Sequence, residues 1–445
     1  MKTLIKHAKI VNEGAIFEGD LLIINDLIEQ IGRSISSESS DTKVIDAQGN
    51  YLIPGFIDDQ VHFREPGLTQ KETIKTGSRA AISGGITSFI EMPNTKPQTT
   101  NFNELKRKFD IAAKESYANY SFMFGGTNDN LELIKQIDRK EVAGLKLFLG
   151  SSTGNMLVDD EKILESIFKE SPVIISTHCE DESTVKNNLE NFKKEYGDDI
   201  PIGKHPLIRS EEACYLSSSS AVSLAKKTGA RLHVFHLSTE KELSLFTDKI
   251  PLKDKKITAE VCLHHLWFND EDYADKGSHI KWNPAVKKES DRKALVKAFN
   301  SGLIDVFATD HAPHTKEEKD NTYISCPSGG PMVQHALPAL FEMINNGETT
   351  IENVVQKASH NPAILFDIDK RGFVKEGFKA DLVIVDPAAP FTVTPENLFY
   401  KCNWSPMMDK TFRTRVLYTF VNGRIAYQNF NFSNFVPGEK LVFDR

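Results

Sequence analysis

The amino-acid sequence predicts an α/β fold, a barrel of parallel strands and helices carrying a small β-sandwich domain assembled from both chain ends. Two observations predict the barrel. Through the middle of the chain, short apolar runs (51–57, 88–92, 144–149, 172–177, 232–237, 257–263 and 303–308) alternate with helical stretches, which is the pattern of a parallel sheet. These runs lead into Asp58, Asn94, Lys146, His178, His236 and Asp310, as expected where a site collects at the C-terminal ends of barrel strands. A doubly wound open sheet is the competing architecture, but no GxGxxG follows the first strand. A third observation predicts the β domain. Residues 1 to 53 alternate apolar pairs with turn residues, and similar text returns at 380–386 and at 416–427, where Asn422-Gly423 is a hairpin signal. We therefore expect 1–53 and 366–445 to form the β domain and 54–365 the barrel.

The chain has 445 residues, 54 basic and 62 acidic side chains, a net charge of −8 and 40% hydrophobic residues. That composition is globular, and the acidic balance argues against a nucleic-acid partner. Cys179, Cys214, Cys262, Cys326 and Cys402 are scattered without a CxxC pair, so neither a disulfide framework nor a zinc ribbon is expected. A reducing, cytoplasmic setting follows. No run of about 18 apolar residues suggests a membrane span, and the first residues turn charged too early for a leader.

The residues capable of chemistry cluster by position. Gln60, His62 and Arg64 alternate, so an extended strand end aims all three at one side. Asp310, His311 and His314 follow an apolar strand directly, and His178 and His236 close two more. Lys146 sits between strand apolars, where a charged amine is costly to bury without a reason. Imidazoles, an aspartate and a lysine able to carry a CO₂-derived carboxylate are the ligand types with which a two-zinc site generates hydroxide near neutral pH.

Those residues fall in motifs that resemble the dihydroorotases of the amidohydrolase superfamily over nearly the whole chain. The motifs are PGFIDDQVHFREPG at 54–67, EMPNTKP at 91–97, HCED at 178–181, VFHLS at 234–238 and FATDHAPHTKEEK at 307–319, with GFVKEGFKADLVIVD at 372–386 returning to the β domain. The resemblance implies a (β/α)₈ TIM-type barrel and one or two zinc ions. His178 and His236 would hold one metal, His62 and Asp310 the other, with a carboxylated Lys146 between them and Asp310 also shuttling the proton. It further implies that Arg64, Asn94 and His314 hold the substrate carboxylate and ring edge, with Asn283 and the Ser328-Gly329 backbone assisting and Thr153 on a loop that closes over the substrate. One departure stands out. The family's first strand ends in His-x-His, whereas this chain has Gln60-Val-His62, and an amide oxygen is the poorer zinc ligand.

Other residues read as structural. Alternation turns His233 to the face opposite His236 and makes Cys179 a buried thiol, while His264 and His265 suggest hydrogen-bonding roles. His7 is expected at the surface, and the charged run 316–320 at a solvated helix start. The resemblance implies reversible cyclisation of N-carbamoyl-L-aspartate to L-dihydroorotate in pyrimidine biosynthesis, by a homodimer whose other partner is that small-molecule substrate. Two rivals remain: a hydantoinase, dihydropyrimidinase or allantoinase acting on other cyclic ureides, and a non-catalytic partner of aspartate carbamoyltransferase, for which Gln60 is the relevant loss.

Overall fold

The computed structural model describes residues 2–36, 41–150 and 156–445. Eight parallel strands run in sequence order around a barrel: Phe56–Val61, Ile86–Glu91, Asn119–Gly125, Gly144–Phe148, Ile175–His178, Leu232–Val234, Ile257–Cys262 and Val306–Ala308. The ring closes where Val61 bridges His311 in parallel and the His62 amide donates to the His311 carbonyl at 2.7 Å. Buried Asp58 reinforces the closure, accepting from the Thr309 amide at 3.1 Å and the Thr309 hydroxyl at 2.5 Å.

Between strands, local signals start and stop the helices. Asn101 caps Phe102–Glu115, Asp181 caps Glu182–Tyr196, and Ser210 caps Glu211–Thr228, each side chain accepting from an early helical amide. Gly229 ends the last of these in the left-handed region at φ 77°. Their apolar faces pack on the barrel in one large core that includes Phe89, Phe122, Leu145, Val234, Val261 and Trp282.

Both chain ends build the second sheet. Its strands Lys2–Asn12, Ala15–Ile24, Leu27–Gly32, Thr42–Asp46 and Tyr51–Pro54 join Leu382–Asp386, Arg415–Val421, Arg424–Gln428 and Asn431–Phe432, with Tyr51–Pro54 antiparallel to Leu382–Asp386. The sheet encloses its own core of Ile5, Ile10, Leu21, Ile28, Leu52, Ile384 and Phe420. The Asn422-Gly423 turn forms as read, with φ of 49° and 73° at its two central residues.

Two differences from the sequence reading have clear causes. The run 51–57 is not one strand but two, in different sheets, divided at Gly55, where an added Cβ would lie 2.2 Å from the Thr87 side chain. The third barrel strand, Asn119–Gly125, escaped detection because Asn119 and Ser121 interrupt its apolar text. Asn119 is instead a buried junction: its amide donates to Asp381, and its carbonyl oxygen accepts from Asn422 and from the Glu439 amide.

A buried ion pair anchors the second strand. Glu91, pushed up to about 7 by burial against the pull of Lys108, meets that lysine from the helix Phe102–Glu115, and the Lys108 ammonium also donates to the Met92 carbonyl at 2.8 Å. Lys108→Met keeps the length and strands the carboxylate, so it should cost about 3–5 kcal/mol of unfolding free energy, measured by urea titration followed by circular dichroism. A loss below about 1 kcal/mol, the worth of a surface pair, would show that the pair contributes no more than one.

Candidate active site

A cavity of about 430 Å³ opens at the C-terminal ends of the barrel strands. It gathers nearly every residue singled out above: Gln60, His62 and Arg64 from the first strand and its exit, Asn94 after the second, and Lys146, His178, His236, Asn283, Asp310, His314, Ser328 and Gly329. Thr153 lies outside the described residues. Lys71, Lys96, Phe148 and Trp282 also line the wall, and none of them was expected at the site from the sequence.

Three of these residues reach the cavity through left-handed backbone: Arg64 at φ 64°, His236 at 42° and Asp310 at 43°. This corrects the alternation argument for His233. In the ladder, Ser176 pairs with both Lys146 and His233, so His233 faces the barrel interior with the lysine, and the turned backbone at His236 brings that ring inward as well. Below the site, His233 Nε2 lies 3.1 Å from Asp59 and 3.8 Å from Glu260, each group fully buried. Desolvation opposes charge on His233, but these two carboxylates outweigh it and raise the ring to about 9. These three could also hold an ion, and Glu260 supports His236 directly by accepting its amide at 2.9 Å.

The donor set suits a cation. His62 gives its Nδ1 proton to the Asn94 oxygen at 2.8 Å, which leaves Nε2 bare and 3.2 Å from Asp310 Oδ1. Two electron pairs at that distance call for a positive charge between them. His178 gives Nε2–H to Glu180 at 3.0 Å and turns Nδ1 towards His236 Nε2, also 3.0 Å away. Burial lowers the pKa of all three imidazoles, outweighing Glu180 at His178 and Asp310 at His62 and joined by neighbouring positive charge at His236, which favours the neutral form that binds metals. Gln60 holds the remaining corner with an amide.

Lys146 is 1% exposed and its ammonium has no hydrogen-bond partner among the described residues; it lies over the rings of Phe235, at 4.0 Å, and Phe148, at 5.0 Å. Burial lowers it to about 8, so a usable fraction is free amine near neutrality.

The opposite wall is cationic. Arg64, lowered by burial to about 10 and still charged, donates Nε–H to the Pro313 carbonyl at 3.0 Å and sets Nη2 3.1 Å from His314 Nε2. Asn94 lines the cavity, but its oxygen is committed to His62. The Gly329 amide donates to Lys281 and its carbonyl accepts from Lys319, so this backbone braces the wall; Asn283 Oδ1 is buried without a partner among the described residues. His265 bonds the Pro284 carbonyl at 3.1 Å and His264 stacks on Trp282, which together fix the segment carrying Asn283. Cys179 is buried and His7 exposed, as read. The run 316–320 is only partly solvated: Glu318 pairs with Lys71, and Lys319 is buried against three carbonyls.

The family model for the "Amidohydrolase family" matches residues 51–426, and the chain belongs to that family of hydrolases. Its relatives narrow the class. The chain is 34% identical to the dihydroorotase of Methanosarcina acetivorans over 440 residues, covering 95% of this chain and 91% of that one. It is 33% identical to the dihydroorotase of Carboxydothermus hydrogenoformans, covering 96% and 98%. Among solved structures, the L-hydantoinase (dihydropyrimidinase) of Arthrobacter aurescens superposes with a TM-score of 0.93 at 24% identity over 99% of both chains, which shows the shared fold. Among the described residues no helix is long and apolar enough to cross a membrane.

Glu180 is the support on which His178 depends, and it is itself held by Arg209. Removing such a support lowers metal affinity about 10–100-fold. Glu180→Gln should show that loss in a competition titration of the metal-free protein against a chromophoric chelator. Unchanged affinity would mean that His178 is oriented by other contacts.

Proposed function

We propose that the chain is a zinc-dependent dihydroorotase, interconverting N-carbamoyl-L-aspartate and L-dihydroorotate in pyrimidine biosynthesis. One observation carries the choice of substrate. Arg64, Lys71 and Lys96 face the cavity, while Asp310 is the one carboxylate among its described lining residues, so the wall away from the metal donors is built for an anion. Dihydroorotate carries a carboxylate; hydantoin and dihydrouracil do not.

His178 and His236 would hold one zinc, His62 and Asp310 the other, with carboxylated Lys146 between them and Gln60 leaving the second ion the more weakly held. The metal supplies Lewis acidity, which acidifies water and polarises an amide carbonyl. The protein's own groups do the rest. Arg64 grips the ring carboxylate through parallel hydrogen bonds, Asn94 and Asn283 address the ring edge, and Asp310 takes the proton from the attacking water and passes it to the ring nitrogen as the amide bond breaks. Cyclisation reverses the route, with Asp310 receiving the ureido proton and returning it to the departing water. Five free cysteines support the cytoplasmic reading, and we retain the homodimer.

Turnover of dihydroorotate, hydantoin and dihydrouracil by the metal-loaded protein tests this reading. The native chain should prefer dihydroorotate. Losing one partner of a desolvated charge pair costs about 2–5 kcal/mol, so Arg64→Ala should lower kcat/KM for dihydroorotate by about 30-fold or more and leave residual dihydrouracil turnover unmoved. A native preference for hydantoin would assign the chain to the ureide hydrolases, and zinc binding without any turnover would assign it a non-catalytic role. Asp310→Asn should lower kcat by at least about 10²-fold, and unchanged turnover would pass the proton shuttle to another residue.

A further inference from the structure

His314 sits where four groups compete for two ring nitrogens. Lys71 Nζ is 2.9 Å from Nδ1 and Glu318 Oε2 is 3.4 Å from it; Arg64 Nη2 and the Ser328 carbonyl are each 3.1 Å from Nε2. A lysine ammonium and a guanidinium only donate, and a neutral imidazole has one N–H and one lone pair. The ring is neutral here, because burial and then the charge of Arg64 lower its pKa. It therefore cannot accept from Lys71 and Arg64 together.

Two arrangements are possible. With the proton on Nε2, Lys71 donates to Nδ1 and Nε2–H donates to Ser328, two good bonds whose cost is that Nε2–H opposes Arg64 Nη2 at 3.1 Å and turns its hydrogens elsewhere. With the proton on Nδ1, the ring has the longer contact to Glu318 and accepts from Arg64, but its N–H opposes the Lys71 ammonium at 2.9 Å and the Ser328 carbonyl faces a lone pair. The first arrangement satisfies more groups at shorter distances.

We propose that Lys71 is a positioning residue that locks His314 as the Nε2–H tautomer and thereby keeps the Arg64 Nη2 hydrogens free for a substrate carboxylate. Lys71 is itself held by Glu318 Oε1 at 3.0 Å, so the lock is a chain from Glu318 through Lys71 and His314 to Arg64. The effect on catalysis rests on the dihydroorotase reading; the tautomer does not. Without Lys71 the ring is free to turn its lone pair to Arg64, and the guanidinium then meets the carboxylate with one fewer donor.

The tautomer is directly observable by long-range ¹H–¹⁵N correlation spectra of the ¹⁵N-histidine-labelled chain, with His314 assigned by its disappearance in His314→Gln. The native spectrum should show Nε2–H at His314. Lys71→Met should populate the Nδ1–H form and raise KM for dihydroorotate about 10-fold, the worth of one charge-assisted hydrogen bond, with kcat within about twofold. Lys71→Arg, which also only donates, should restore both. A native Nδ1–H ring overturns the lock without any variant being needed. A KM rise in Lys71→Met with the ring still Nε2–H would make Lys71 a direct substrate contact instead, and a changed tautomer with unchanged KM would sever His314 from binding. If the chain does not turn over dihydroorotate, the native spectrum still decides the lock, so the two readings fail separately.

Discussion

Closure of the barrel is the constraint on which the rest depends. His62 leaves the first strand and Asp310 follows the eighth, so the two meet only because the ends of the strand order are joined. That junction is polar. Asp58 is fully buried, which raises its pKa well above the carboxylate range, and the two Thr309 bonds offset part of that cost. The side chain that locks Thr309 thus also sets where the next residue, Asp310, begins its left-handed turn into the cavity.

Once the ring is closed, the site is held by groups that would separate in water. Bare ring nitrogens and a carboxylate face one another, an ammonium lies beside them without a hydrogen bond to any described residue, and the three histidines are fixed from behind: His62 by Asn94, His178 by Glu180, His236 by Glu260 through its backbone amide. These supports remove the freedom to relax. The unfavourable contacts persist because the barrel over-determines them, and a bound cation turns them into attraction.

Much of this was legible in the chain itself. A strand-end His, Lys or Asp after an apolar run marks the mouth of a parallel barrel whatever the rest of the fold does, and the motifs fixed which ones. The failures have a common origin. Period-two alternation predicts facing only while the backbone remains extended, and it broke at His236, so His233 and His236 both point inward. Gly55 likewise divided one apolar run between two sheets, because its close contact with Thr87 is not visible from either residue alone. Lys71, Lys96 and Lys319 resemble ordinary surface lysines in sequence. Only the folded chain shows that the first two line the cavity and that the third is buried against three carbonyls.

The division of labour across the cavity explains how one fold serves different substrates. The half that carries His62, Lys146, His178, His236 and Asp310 is built on barrel strands and their immediate exits, which a shared fold keeps in place. Selectivity has to come from the other half, which here consists of loop residues: Arg64 and Lys71 after the first strand, Lys96 after the second, His314 and the 327–329 wall after the eighth. Loops can change without disturbing the closure at Asp58 and Thr309. A positive wall is also costly to maintain empty, since Arg64 and Lys71 repel each other across His314. Glu318 relieves that repulsion from the solvent side through its ion pair with Lys71, while Arg64 feels Asp310, Glu91 and Glu318 only through space. The residual positive charge is therefore directed at the space a substrate carboxylate would fill.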